Sequence, residues 1–92
     1  MTSPLYTATL KDGDIIFGEG DTGDCAYIIE HGEVEIWANR QEERLQLALL
    51  MPGAIFGEMS VIDDVVRSAN ATARGDTRLT VVTSSQLRMR LE

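Results

Sequence analysis

Eight glycines place the strongest constraint on how this chain can fold. They separate short apolar runs, and each run has the length of a β-strand rather than that of a helix. Several runs alternate between apolar and polar residues, which is the period of a strand with one buried face. We therefore predict an all-β roll or sandwich. Its strands are expected at residues 14–17, 25–30, 33–38, 45–51, 69–73 and 77–83.

The segment "EVEIWA", residues 33–38, shows this alternation most clearly. Val34, Ile36 and Ala38 share one face, whereas two glutamates and Trp37 share the other. A half-buried strand has this pattern, so we expect the glutamate face to be exposed. Trp37 is expected to pack at the surface or at a sheet edge, with a contact to a partner as the alternative.

Two hairpins are predicted between the strands. In "EHGE", residues 30–33, Gly32 can adopt the positive φ that a tight turn requires. The charged segment "NRQEERLQ", residues 39–46, is expected to form the loop of a second hairpin, with Arg40 and Arg44 on its surface.

Helical structure is expected in only two places. A single turn is predicted from Gly57 to about Ile62, and a second helix is predicted to begin near Ser84 or Ser85 because serine is a favourable N-cap. The length of 92 residues and the ordinary hydrophobic content indicate one domain over residues 1–92.

The acidic composition argues against several functions. Fifteen acidic and eight basic residues give a formal net charge of -7, which repels nucleic acid and anionic lipid. No apolar run approaches the ~20 residues needed to span a bilayer, and the N-terminus lacks the pattern of a signal peptide. We expect a cytoplasmic location, with no direct nucleic-acid binding and no membrane insertion.

Catalysis is not expected either. His31 is the only histidine and Cys25 the only cysteine, so the chain lacks the several imidazoles of a metal site and a base to activate a nucleophile. His31 is assigned to the first turn and Cys25 is expected to be a buried thiol. We predict no enzymatic activity and no metal site.

The segment "IFGEMSVIDDVVRSANATA", residues 55–73, carries the main functional signal. A helical turn that begins at Gly57 presents the backbone N-H groups of Glu58, Met59 and Ser60, which suits an anion. Arg67 precedes small residues and can grip a phosphate with two hydrogen bonds, while Glu58 can accept from a sugar hydroxyl. The alternative is a plain salt bridge between Glu58 and Arg67.

Within this segment, "FGEMSVI" and "RSANATA" resemble the phosphate-binding cassette of cyclic nucleotide-binding domains. The upstream "GDIIFGEGDTGDCAYIIEHGEVEI" also resembles the opening strands and glycine turns of that family, and the resemblance covers roughly residues 10–88. It implies a jelly-roll-like double-stranded β-roll with a short cassette helix and a truncated C-terminal helix.

The resemblance implies a role for each cassette residue. Glu58 would accept the ribose 2′-hydroxyl, and Arg67 would pair with the cyclic phosphate. Backbone N-H groups of Gly57 and Ser60, together with Ser68, would help to hold that phosphate. The implied ligand-binding residues are Gly57, Glu58, Met59, Ser60, Arg67, Ser68 and Ala69.

Two features depart from the family pattern. Val66 stands where the family usually has proline, and Asp63 and Asp64 add negative charge to the loop before Arg67. We expect these two carboxylates to point into solvent, away from the anion site.

The resemblance implies a regulatory module that binds cyclic AMP, slightly favoured, or cyclic GMP, and that needs no cofactor. The alternative is a degenerate domain that keeps the fold but serves interaction or oligomerisation without nucleotide. We expect the chain to be a fragment of a longer protein, with a linked effector domain or a homodimer as further partners. The final residues 91–92 have the composition of a vector-derived tail.

Overall fold

The computed structural model describes residues 6–91, which form six strands and two short helices. The prediction of a mainly all-β fold is confirmed, and the architecture is the β-roll that the resemblance implied. The elements are β1 (Tyr6–Leu10), β2 (Ile15–Phe17), β3 (Cys25–Arg40), β4 (Glu43–Leu50), β5 (Ile55–Phe56), α1 (Glu58–Ile62), β6 (Asn70–Thr83) and α2 (Ser84–Leu91).

Two long antiparallel strands, β3 and β6, form the centre of the roll. Each of these two strands runs through both halves of the sheet and pairs with different neighbours in each half. In one half, the end of β3 and the start of β6 lie between β4 and β2. In the other, the start of β3 and the end of β6 lie between β5 and β1. This arrangement curls the sheet around the core.

The first predicted hairpin is wrong, because residues 25–30 and 33–38 belong to one continuous strand. Gly32 does adopt a positive φ of 85°, but the chain bends there instead of reversing. The ladder with β6 continues on both sides, from Ile29 opposite Leu79 to Glu33 opposite Arg74, with shifts in register between them. Positive φ in a strand is compatible with a bulge as well as with a turn, and pairing over both halves selects the bulge.

The predicted strands at 69–73 and 77–83 likewise form one strand, β6, which begins at Asn70 and contains Gly75 with φ 75°. The second hairpin is confirmed, although its loop is shorter than predicted. Only Gln41 and Glu42 lie outside the strands, and both have positive φ as a two-residue hairpin turn requires. Strand β1 was not predicted.

Two apolar clusters form the core. One contains Ile29, Val34, Phe56, Ala71 and Leu79, between the two halves of the roll. The other cluster joins both helices to the sheet and consists of Ala26, Val61, Val82 and Leu87. The predicted helices therefore exist, and their apolar side chains complete one end of the core.

The expectation that the glutamate face of β3 is exposed is wrong for Glu35, which is 5% exposed. Its carboxylate accepts hydrogen bonds from Arg44 on β4 and Arg74 on β6, at 2.5 and 3.1 Å. The guanidinium of Arg44 also lies 3.9 Å from the centre of the Trp37 ring. Trp37 is half-buried, as expected, and its Nε1 donates to Thr72. Two arginines from neighbouring strands thus satisfy a buried carboxylate that an alternation pattern assigns to solvent.

Candidate functional site

All seven residues that the sequence predicted as ligand-binding line one cavity of about 260 Å³. Its volume is near the lower end of the about 300 to 1,000 Å³ typical of small-molecule sites. Apolar side chains from the strands form the remaining wall, namely Phe17, Ile36, Ile55 and Phe56. The cavity therefore combines polar cassette residues with an apolar surface, as small-molecule sites commonly do.

Gly57 sets the position of the cassette helix. It has φ 81° and precedes α1 without contributing a side-chain cap. A Cβ atom at this position would lie 2.7 Å from Nη1 of Arg67, so both the backbone and the neighbouring side chain require glycine. Ser60 and Val61 are buried, and Val61 packs the helix against the core.

Arg67 is the most constrained side chain of the cavity, with only 3% of its surface exposed. Nη1 donates to the carbonyl oxygen of Gly57 at 2.5 Å, and Nη2 donates to that of Cys25 at 2.7 Å. Nε is buried and has no hydrogen-bond partner in the described part of the chain. The backbone of Arg67 is also hydrogen-bonded to the loop between β2 and β3. Its N-H donates to the carbonyl oxygen of Asp21 and its carbonyl oxygen accepts from the N-H of Gly20, both at 2.8 Å.

The alternative Glu58–Arg67 salt bridge is not formed. None of the ion pairs within residues 6–91 includes either side chain. Carbonyl oxygens satisfy two nitrogens of the guanidinium but leave its positive charge without a counter-ion. A buried charge without an opposite charge is costly. The site thus has the electrostatics of an anion receptor.

The other predicted residues differ in exposure. Glu58 is half-buried at the cavity, whereas Met59 and Ser68 are exposed and Ala69 is buried. Asp63 and Asp64 are exposed, as expected, so solvent screens their charge from the arginine. Asp64 adopts φ 53°, and the loop "DDVV" therefore turns without a glycine.

Sequence reasoning missed the residues that hold Arg67 from other parts of the chain. Phe17, on β2, lies with its ring centre 4.2 Å from Cζ of Arg67. Gly23 is also in contact, since a Cβ atom there would lie 2.5 Å from the same carbon. The glycine-rich segment around Gly23 was visible in the sequence, but no local signal links it to Arg67.

Tyr27 and Cys25 lie next to this arginine. The ring of Tyr27 stacks on Phe56 at 5.2 Å between ring centres, and its hydroxyl accepts a hydrogen bond from the Cys25 thiol at 3.3 Å. Burial raises the pKa of Tyr27 to about 12, the thiol contributes in the same direction, and the charge of Arg67 opposes the shift. Cys25 is half-buried rather than buried. The tyrosine therefore stays neutral at physiological pH.

A larger groove of about 610 Å³ lies elsewhere on the sheet and contains none of the predicted site residues. Glu35, Arg44, Arg74 and Trp37 line it. Its arginines are already paired with Glu35, whereas Arg67 has no counter-ion. We assign the functional site to the smaller cavity on this electrostatic ground.

The part of the chain from residue 6 to residue 91 contains no group of three or more histidine, cysteine or carboxylate side chains placed to hold a metal ion. Neither of its helices has the length and apolar character needed to cross a membrane.

Comparison with known proteins identifies the family. The profile described as "Cyclic nucleotide-binding domain" matches residues 7–92. The cyclic AMP receptor protein of Thermus thermophilus is 45% identical over 69 residues, which are 73% of this chain and 32% of that protein. The cAMP-dependent protein kinase regulatory subunit of Yarrowia lipolytica is 32% identical over 83 residues, or 90% of this chain and 21% of the subunit.

Solved structures agree with these relatives. The EAL enzyme Bd1971 in its cAMP-bound form superposes with a TM-score of 0.88 at 45% identity, covering 94% of this chain and 23% of the enzyme. Its cGMP-bound form gives a TM-score of 0.89 with the same identity and coverage. The chain spans about a fifth to a third of the length of the proteins named here. On the matching profile, the sequence identity and the shared fold, the chain belongs to the cyclic nucleotide-binding domain family.

Proposed function

We propose that this domain is a regulatory module that binds a cyclic purine nucleotide, with cyclic AMP slightly favoured over cyclic GMP, and that it performs no chemistry on the ligand. One observation carries the proposal. Arg67 is a buried cation whose Nε has no partner within residues 6–91 and whose charge has no counter-ion there. A phosphate would supply both the acceptor and the charge.

The cavity has a suitable group for each part of the ligand. Arg67 binds the cyclic phosphate, which also accepts from the backbone N-H groups of Gly57 and Ser60 and from Ser68. Glu58 is an acceptor-only carboxylate, so it binds the ribose 2′-hydroxyl rather than the phosphate. Ile36 and Ile55 supply apolar surface for the nucleoside.

Charge balance favours a cyclic phosphate over an open one. A cyclic phosphodiester carries one negative charge, which a single guanidinium neutralises. The second charge of 5′-AMP would find no second cation among the lining residues and would lie near the carboxylate of Glu58. Discrimination against the open nucleotide therefore follows from the single arginine.

Two observations on relatives support a purine as the base, and one of them favours adenine. The Thermus thermophilus relative is named for cyclic AMP, and the EAL enzyme Bd1971 is known in cAMP-bound and cGMP-bound forms. The cavity of this chain has room beside Ala69, and Ser68 offers a hydroxyl compatible with either purine. Cyclic AMP remains slightly favoured, with cyclic GMP as the second ligand.

The output of the module lies in a linked effector. The chain spans 32% of a receptor protein and 21% of a kinase regulatory subunit, and we propose that binding is coupled to an effector domain or to a second copy. We place it in the cytoplasm, without direct contact to nucleic acid by its own acidic surface, which has a formal net charge of -7.

Calorimetric titration with cyclic AMP, cyclic GMP and 5′-AMP tests this function. We expect saturable binding of both cyclic nucleotides, with a higher affinity for cyclic AMP. The affinity for 5′-AMP should be at least about tenfold lower. Equal affinity for cyclic and open nucleotides would contradict the charge argument. Absence of heat and of any thermal shift with all three ligands would contradict the function itself.

Strand β4 supports a second candidate function, an assembly surface that needs no nucleotide. β4 is at one end of the strand order, and Leu45, Leu47 and Leu49 are between 42% and 52% exposed. An edge strand with exposed apolar side chains is typical of an interaction surface. Light scattering over a range of concentrations tests this candidate, and a concentration-independent monomer would rule out self-assembly.

A further inference from the structure

The guanidinium of Arg67 is supported by groups that carry no charge. The Phe17 ring lies 4.2 Å from Cζ, and the two polar contacts come from carbonyl oxygens. An aromatic face attracts a cation through its quadrupole, and the attraction strengthens when the cation is removed from water. Arg67 is 3% exposed, so this interaction takes place in a largely dehydrated site.

This kind of support differs from that of the paired arginines on the sheet. The carboxylate of Glu35 pairs with both Arg44 and Arg74 and accepts one hydrogen bond from each. A carboxylate beside Arg67 would likewise compete with a phosphate for the same donors. A phenyl ring holds the guanidinium but accepts no strong hydrogen bond, so it leaves the Nε-H group and the full positive charge for a ligand.

We propose that Phe17 is a positioning residue that fixes the plane of the Arg67 guanidinium at the site where the ligand phosphate binds. The proposal rests on the proposed function, because it assigns Phe17 a role at the same cyclic nucleotide site. Phe17 lies on β2, whereas Arg67 precedes β6, and these strands pair through Phe17 and Ala71. The sheet itself therefore sets the distance between the ring and the arginine.

The test compares Phe17→Leu, which keeps apolar volume without a ring, with Phe17→Tyr, which keeps the ring. We expect Phe17→Leu to weaken cyclic AMP binding about 5- to 30-fold and Phe17→Tyr to retain most of the affinity. In an Arg67→Ala background, Phe17→Leu should cause no further loss, because the ring acts through the arginine.

A second readout needs no ligand. In the ligand-free parent chain, the NMR signal of Arg67 Nε-H should show the upfield ring-current shift of a proton near an aromatic face. Phe17→Leu should abolish this shift and Phe17→Tyr should keep it. A parent chain that binds no nucleotide would contradict the proposed function, while this signal would still decide whether Phe17 positions Arg67.

Two results would overturn the proposal. One is an unchanged Nε-H signal in Phe17→Leu, which would show that the ring does not orient the guanidinium. The other is an equal loss of affinity for Phe17→Leu with and without Arg67, which would show that Phe17 acts directly on the ligand. Thermal unfolding of each variant confirms that the fold is intact.

Discussion

Gly23 packs so closely against Arg67 that a Cβ atom on the glycine would lie 2.5 Å from Cζ of the guanidinium. Gly23 does not have the positive φ that explains most glycines of this chain. Its lack of a side chain is therefore required by contact and not by backbone conformation. The loop between β2 and β3 thus determines whether Arg67 can occupy its position at the cavity.

Gly23→Ala should displace the guanidinium and lower the affinity for cyclic AMP. The loss should approach the about 10- to 150-fold expected for removing a charge-assisted hydrogen bond. Gly18→Ala is the matched control, because Gly18 lies in the same loop, has no positive φ, and a Cβ atom added there would lie no closer than 3.4 Å to any other atom. Calorimetry on both variants checks this prediction, and equal affinities for the two would contradict it.

Glu58 is expected to recognise the ribose. Glu58→Ala should weaken cyclic AMP binding about 10- to 150-fold, because a hydrogen bond to a charged acceptor is lost. The parent chain should show a similar loss with 2′-deoxy cyclic AMP. If the carboxylate binds the 2′-hydroxyl, the Glu58→Ala variant should bind 2′-deoxy cyclic AMP only slightly more weakly than it binds cyclic AMP. Strictly additive losses would show that Glu58 acts elsewhere.

Glu35 is expected to stabilise the sheet without affecting the ligand. Glu35→Ala should lower the free energy of unfolding by about 1 to 3 kcal/mol, because it removes a buried carboxylate that links β3 to two neighbouring strands. Glu19→Ala is the control, since Glu19 forms an exposed 3.4 Å pair with Arg40 and should change stability by less than about 1 kcal/mol. Urea unfolding checks both values.

Tyr27 should make stability fall at alkaline pH. Its pKa is near 10 in an unfolded chain and about 12 in the folded domain. Between these values the unfolded chain releases the phenolic proton while the folded domain retains it, so stability decreases as pH rises. Below pH 10 the group is protonated in both states and contributes no pH dependence.

Tyr27→Phe should remove the part of the decrease in unfolding free energy above pH 10 that comes from Tyr27. Tyr6→Phe, at a position that is 59% exposed, should retain that decrease. Urea unfolding at several pH values above 10 measures the difference between the two variants. An identical decrease in the free energy of unfolding of both variants would show that Tyr27 does not contribute to the alkaline pH dependence.

The backbone of the segment from Gly57 to the start of β6 can be predicted from the sequence because its signals are local. Gly57 opens a helical turn, Arg67 follows within the same segment, and β6 begins three residues after it at Asn70. The support around Arg67 could not be predicted, because Phe17, Gly23 and the Cys25 carbonyl come from distant strands and loops. Contacts of this kind depend on sheet pairing, which composition and periodicity do not encode.

Strand connections show the same limit. The sequence around Gly32 predicts a hairpin, but a glycine with positive φ between two strand-like runs is equally compatible with a bulge. Pairing of β3 with β6 on both sides of Gly32 decides between them, and that pairing is a tertiary property. Alternation likewise predicts that Glu35 faces solvent, whereas hydrogen bonds from Arg44 and Arg74 allow it to be buried.

The most direct test of the account is titration of cyclic AMP into the parent chain and into Arg67→Ala, with Arg67→Lys as the variant that keeps the charge. Thermal unfolding first establishes that each variant is folded. We expect Arg67→Ala to bind about 10- to 150-fold more weakly than the parent and Arg67→Lys to lie between them. Equal affinity of a folded Arg67→Ala variant and the parent would contradict the central claim that this buried arginine binds the ligand phosphate.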